Sequence, residues 1–227
     1  MTTPTLSWDG YAATWAGLHG GLDPRQASPS VRRWLRVSYL LGRGISRTGV
    51  QPLAVTVFGL VLAALTPVVV RWGPGWPLLI AAGLVLASVT ADSVDGAVAM
   101  VTGKISRLGY IYDSVADRLT ELCWAAAFWL VGAPGPLVGA CVGVAWLYEY
   151  VAAQAAAAEL DHTPPGAAGE RPARIALVVA GLLLAGSTGL LMPELAAGTA
   201  TLAMTAWAVV GLYGLGQLLG ALRLAAR

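Results

Sequence analysis

Four of the seven aspartates in the chain lie between positions 92 and 117. Asp92 and Asp95 are three residues apart and Asp113 and Asp117 four, so each pair occupies one face of its segment if that segment is helical. The stretch from Gly96 to Tyr112 contains Gly103, Lys104, Ser106, Arg107 and Gly109, a composition that lets the two segments fold back on each other. Four carboxylates would then converge. Gathered carboxylates pair, face water or bind cations, and hard divalent ions such as Mg²⁺ and Mn²⁺ prefer oxygen ligands shared with substrate phosphates. Two ions bridged by such a group stabilise both the entering and the leaving oxygen of a phosphoryl displacement. Gly96 and Ala99 leave room for a flat or bulky group to approach the backbone, and Lys104 and Arg107 can neutralise phosphate oxygens. The plain alternative is a set of helix-end carboxylates beside a basic loop.

The elements that must hold these acids belong to a membrane protein. The chain has 227 residues, 57% hydrophobic and 11% charged, with a mean hydropathy of +0.69. A water-soluble domain carries about 25% charged residues, so this chain cannot cover a water-facing surface of ordinary composition. Disorder is excluded for the same reason. A net charge of +2 gives no ground for a nucleic-acid partner. Cys123 and Cys141 both lie in apolar stretches, which fits neither a disulfide framework nor a zinc site.

A bilayer core of about 30 Å needs about 20 apolar residues per helix. Six stretches meet this, at 53–70, 76–99, 111–131, 135–157, 174–192 and 196–221, so Asp92 and Asp95 fall near the end of the second and Asp113 and Asp117 near the start of the third. With both termini cytoplasmic, all but Arg71 of the fourteen Lys and Arg lie inside, the bias that orients multi-spanning proteins. Ahead of the spans, residues 31–47 mix Arg32, Arg33, Arg36, Arg43 and Arg47 with Trp34, Leu35, Val37, Tyr39, Leu40 and Leu41. That pattern suits a helix lying in the membrane interface. The expected organisation is an all-α integral membrane protein: a loosely ordered segment 1–30, an interfacial amphipathic helix 31–47, and a six-helix transmembrane catalytic domain 48–227.

The acids also carry a resemblance. Asp92-x2-Asp95-Gly96-x2-Ala99 followed by Gly109-x3-Asp113-x3-Asp117 is similar to the signature of the CDP-alcohol phosphotransferases, and Pro52-x3-Thr56 resembles the start of that family's first span. The resemblance implies transfer of a phosphoalcohol from a CDP-alcohol, with CDP-diacylglycerol the default donor, to the hydroxyl of a small polar acceptor, with release of CMP. It implies Asp92, Asp95, Asp113 and Asp117 as ligands of Mg²⁺ or Mn²⁺, two ions in number, and Asp117 as general base. Thr56, Asp92, Asp95, Gly96, Ala99, Lys104, Arg107, Gly109 and Asp113 would line the CDP site. It further implies a homodimer, and the chain as a whole reads as a multi-pass protein of a bacterial inner membrane with its active site on the cytoplasmic side.

Several residues depart from the family pattern. Met100 stands directly after the motif alanine, where the family has Arg; Lys104, one turn on, is the expected substitute if the helix reaches that far. Members acting on phosphorylated acceptors often have basic residues after the tyrosine that corresponds to Tyr150, and here Val151, Ala152, Ala153 and Gln154 follow it. Glu149 precedes it inside a span, where an acid is costly without a partner. It either recognises an acceptor's hydroxyls or amine or pairs with Arg118 or Arg174. Arg171 and Arg174 either bind a phosphate or anchor the chain at the membrane surface. The acceptor set is accordingly Glu149, Arg118, Arg171 and Arg174. Glu121, four residues after Asp117, supports the site or pairs with Arg118, and His162 in its Pro-rich loop is expected to face solvent. The competing readings are an inactive family member serving as a partner subunit, a prenyltransferase and a small transporter. The second needs another Asp-rich cluster and the third an inverted repeat, neither of which the sequence displays.

Overall fold

The computed structural model describes residues 6–18, 21–160 and 169–226, and these are helical with short connections. In chain order the helices are α1 (Trp8–Leu18), α2 (Pro29–Ser46), α3 (Pro52–Val69), α4 (Trp76–Thr102), α5 (Arg107–Val131), α6 (Gly135–Ala157), α7 (Arg171–Leu191) and α8 (Leu195–Ala225). His162 lies outside the described residues.

Among the described residues, five helical segments are long and apolar enough to cross a membrane: Pro52–Trp72, α4, α6, α7 and α8. The expected count of six is therefore not reached on length and composition. The remaining segment is α5, at 25 residues as long as its neighbours. Its first fifteen residues carry Arg107, Asp113, Asp117, Arg118 and Glu121, and those charges keep its hydropathy low. The helix expected to finish near residue 99 continues to Thr102, which places Asp92 and Asp95 within α4 and two turns short of its end.

The chain divides into two compact units. The first comprises the chain up to Leu62 together with Ala87–Asp117; the second comprises Ala63–Leu86 and Arg118–Arg227.

In the first unit the segment expected to be loose contains α1. Trp8, Tyr11 and Trp15 recur at i, i+3 and i+7, one face of a helix, and that face is buried: Tyr11 is 1% exposed and Ala12 0%. Trp8, Tyr11 and Tyr39 stack or tilt against one another at 5.3–5.8 Å between centroids. Tyr39 donates its hydroxyl to the Leu6 carbonyl at 2.9 Å, and the Arg36 guanidinium lies over the Trp8 ring at 5.8 Å. Aromatic packing of this kind contributes beyond area burial, and it outweighs the Gly and Pro residues that flank the segment. Away from water, the Tyr11 hydroxyl has its pKa pushed up to about 12 by burial.

Helix α2 begins with Pro29 in its first turn, where a missing N–H costs nothing. It buries Leu35, Ser38, Tyr39 and Gly42, a single stripe, and leaves Arg32, Arg33, Arg36 and Arg47 exposed. The Trp34 indole donates to the Ser93 hydroxyl at 3.1 Å, and a Cβ at Gly42 would stand 2.7 Å from the Ala97 Cβ. Helix α2 therefore lies directly on the part of α4 that bears the acids. Gly42→Ala is expected to destabilise the protein by about 1–3 kcal/mol through overpacking, more than the roughly 1 kcal/mol of helix propensity it gains. Thermal unfolding in detergent measures this.

In the second unit α8 packs along both α6 and α7. The approach is close because the contact residues are small: a Cβ at Gly181 would stand 2.6 Å from the Ala203 Cβ. Small residues of this kind let helices associate where lipid supplies no hydrophobic drive.

Candidate active site

The acids are positioned by one helix end, one tight turn and one helix start. Helix α4 stops at Thr102 because Gly103 adopts φ +64°, a left-handed conformation that glycine takes without steric cost. The Lys104 N–H closes the end on the Ala99 carbonyl at 2.8 Å. Ser106 then caps α5, its hydroxyl accepting the Gly109 N–H at 3.0 Å. The short turn sends α5 back so that Asp113 reaches the pair on α4.

Asp92, Asp95 and Asp113 each offer a carboxylate oxygen, and these oxygens all lie within 4.8 Å of one another. Asp95 is 5% exposed and accepts the Thr56 hydroxyl at 2.5 Å. Three carboxylates drawn from two helices, one of them buried, repel one another as anions. They form a hard-oxygen donor set that fits a divalent cation. Asp117 stands one turn beyond Asp113 on α5 and lies outside this three-carboxylate group.

The remaining positions expected to line a CDP site also fall in this first unit. A Cβ at Gly96 would meet nothing within 4 Å, so the backbone beside Asp95 has an open face. Ala99 is half-buried, while Arg107 and Gly109 are exposed at the start of α5. Lys104 differs from expectation: α4 ends before it, and its ammonium donates to the Gln51 side-chain oxygen at 3.3 Å. It therefore does not extend the helix face on which Met100 stands. Met100 itself packs against the buried group of Tyr11, Tyr39, Ala97 and Val101. The side chain after the motif alanine is thus part of an apolar contact with the N-terminal helix.

Thr56 acts in a way the sequence did not disclose. Its hydroxyl is aimed at Asp95, and a metal-bound carboxylate held by such a partner keeps its orientation. Thr56→Val is expected to lower kcat/KM about tenfold or more through weaker metal affinity, with titration of Mn²⁺ into the detergent-solubilised protein as the check.

The second unit holds a separate polar group. Arg174 is 1% exposed on α7 and donates to the Gly169 carbonyl at 2.6 Å. It pairs with Glu121 of α5 at 3.0 Å and with Glu149 of α6. Arg118 faces the same two acids, at 3.4 Å from Glu121 and 3.7 Å from Glu149. Both pairings considered for Glu149 are therefore present at once, and Glu121 pairs with Arg174 as well as with Arg118. Arg171 is half-buried at the first position of α7.

Residues 50–214 match the family model described as CDP-alcohol phosphatidyltransferase. The phosphatidylinositol phosphate synthase of Mycobacteroides abscessus is 31% identical over 170 residues, which cover 70% of this chain and 73% of the relative. A crystal structure of the phosphatidylinositol phosphate synthase of Mycobacterium tuberculosis with CDP-DAG bound superposes with a TM-score of 0.65 at 25% identity, over 82% of this chain and 94% of the other. A second structure of that synthase, in complex with manganese and citrate, shares the fold with a TM-score of 0.64 at 24% identity, over 82% of this chain and 88% of the other.

Proposed function

Because the chain belongs to the CDP-alcohol phosphatidyltransferase family, it is a transferase that moves a phosphoalcohol from a CDP-alcohol to an acceptor hydroxyl with release of CMP, and we propose that its donor is CDP-diacylglycerol. The observation that carries the reading is the convergence of Asp92, Asp95 and Asp113 within 4.8 Å. Among the described residues, five helices long and apolar enough to cross a membrane support a lipid donor, since a diacylglycerol tail needs an apolar medium.

In this reading Asp92, Asp95 and Asp113 would hold Mg²⁺ or Mn²⁺, two ions in number, and Asp117, which stands outside their group, serves as the general base and not as a principal ligand. When bound, the ions neutralise the diphosphate and stabilise charge on the departing CMP. The chain's own residues do the rest. Gly96 and Ala99 give the cytidine a flat approach beside Asp95, Arg107 faces phosphate oxygens, Lys104 would join it by exchanging its Gln51 contact for a phosphate oxygen, and Gly109 keeps the start of α5 clear. Thr56 fixes the Asp95 carboxylate. An alcohol has a pKa too high to attack unaided, so the Asp117 carboxylate accepts the hydroxyl proton as the acceptor oxygen bonds to the phosphorus that carries the diacylglycerol. The bond from that phosphorus to the CMP oxygen breaks, and CMP leaves with the electron pair. Arg118, Glu149, Arg171 and Arg174 handle the acceptor.

The topology proposed with this chemistry has α5 as the sixth span, α2 in the membrane interface, both termini and the active site on the cytoplasmic side of a bacterial inner membrane, and a homodimer as the assembly. The test is CMP release from CDP-diacylglycerol in mixed micelles. Release is expected to need both Mn²⁺ or Mg²⁺ and an acceptor alcohol, and to stop when EDTA removes the metal. Release that persists in EDTA would overturn the metal centre.

A further inference from the structure

The reading above leaves the acceptor unnamed, and the polar group of the second unit bears on it. Arg174 commits both terminal nitrogens: one to the Gly169 carbonyl at 2.6 Å, the other to Glu121 at 3.0 Å and to Glu149. Arg118 is likewise matched by Glu121 and Glu149. Glu170 and Arg171, at the start of α7, add one charge of each sign. Arg118 and Arg174 therefore face Glu121 and Glu149, two cations against two anions, and the neighbouring Glu170 and Arg171 leave the balance without net positive charge. Arg174 and Glu121 are each 1% exposed at the side chain, Arg118 is 22% and Glu149 is 37%. Among these four paired side chains the most accessible charge is a carboxylate.

A phosphate could take the Arg174 nitrogen that holds Glu149 only by displacing that acid, which would leave Glu149 inside a membrane helix with the longer Arg118 pairing at 3.7 Å alone. Breaking a buried pair in this way is strongly unfavourable. A hydroxyl or an ammonium asks for no such displacement, since the accessible Glu149 oxygen accepts from either. Beside it on α6 the buried Tyr148 hydroxyl has no hydrogen-bond partner among the described residues, and a buried hydroxyl left in that state gains from a polar ligand. The Tyr148 ring also fixes the neighbourhood, for a Cβ at Gly169 would stand 2.6 Å from it.

We infer that Glu149, held by Arg118 and Arg174, selects an acceptor alcohol that carries no phosphate, a neutral polyol or an amino alcohol. This rests on the transferase reading, and the experiment separates the two. CMP release from CDP-diacylglycerol with Mn²⁺ is measured for inositol, glycerol and serine against inositol 1-phosphate and glycerol 3-phosphate. One of the unphosphorylated acceptors is expected to exceed its phosphorylated counterpart in kcat/KM by about a hundredfold, the scale on which a site's polar groups discriminate. Glu149→Gln is expected to raise the KM for that acceptor about tenfold, as loss of a charged hydrogen bond does, while kcat and the KM for the donor change little. Release with the phosphorylated acceptors alone overturns the inference and leaves the transferase intact. No release with any pair overturns both. A Glu149→Gln enzyme that folds, keeps its acceptor KM and loses kcat assigns Glu149 to structure and overturns its role in selection. The wild-type preference stands as a test even if that variant fails to fold.

Discussion

Asp95→Asn is expected to reduce kcat/KM by at least about a thousandfold, roughly 4 kcal/mol of transition-state stabilisation. The substitution isolates charge from shape. Asparagine has the outline of aspartate, and its amide oxygen can still accept the Thr56 hydroxyl that reaches Asp95 at 2.5 Å. What disappears is one of the three negative charges whose oxygens stand within 4.8 Å of one another. Divalent-ion affinity should fall with the activity, because hard cations depend on the number of anionic oxygens around them. Stability of the metal-free protein should not fall, since removing one of several adjacent like charges relieves repulsion at a site that is 5% exposed. Calorimetric titration of Mn²⁺, CMP release and thermal unfolding in EDTA together read the three effects. An Asp95→Asn protein that kept a tenth or more of its activity would remove Asp92, Asp95 and Asp113 from the chemistry.

The acids were legible in the sequence because their logic is local. Spacings of three and four residues place side chains on one helix face whatever the rest of the fold does, and the Gly103 and Ser106 chemistry of the intervening turn is equally local. The identity of the segments as helices was legible for the same reason, through their length and apolar content. The limits of that legibility are visible at particular residues. Met100 reads as a missing arginine, because nothing in the local pattern around it signals that α1 exists to pack against it. Helix α1 itself was obscured by its length, only 11 residues, and by the glycines and prolines around it. Its stability comes from Tyr39, which lies 28 positions after Tyr11. No local window connects the two.

Lys104 and Thr56 show the same limit from opposite sides. Lys104 was expected to extend the helix face of Met100, yet a single left-handed residue at Gly103 ends α4 first and the ammonium turns to Gln51. Thr56 was recognisable as a motif position, but its aim at Asp95 depends on α3 and α4 lying side by side in the first unit. Glu149 is the instructive middle case. The sequence reduced its partners to Arg118 and Arg174, and the structure uses both, with Glu121 as a second acid. Pairing and recognition are then not alternatives. The arginines supply counter-charge to a carboxylate inside a helix bundle, and the carboxylate so held is proposed to accept from a hydroxyl or an amine and to repel a phosphate.

Asp117→Asn is expected to separate proton transfer from metal binding. Asp117 follows Asp113 by one helical turn and shares its face of α5, but it lies outside the group of carboxylates whose oxygens converge. If it serves as the general base, the loss falls on kcat, by about a hundred- to ten-thousandfold, the range that a positioned base contributes. An amide oxygen is too weak a base to take the acceptor's proton, while its size leaves the Ala116 and Thr120 contacts of α5 undisturbed, both of which are buried. Mn²⁺ affinity of the Asp117→Asn protein should stay within about threefold of the wild type, since the three-oxygen donor set is intact. The contrast with Asp95→Asn is the discriminating result: there activity and metal affinity fall together, here activity falls alone. A metal affinity that dropped as steeply for Asp117→Asn as for Asp95→Asn would make Asp117 a ligand first. The acceptor's proton would then have to leave by another carboxylate of the cluster.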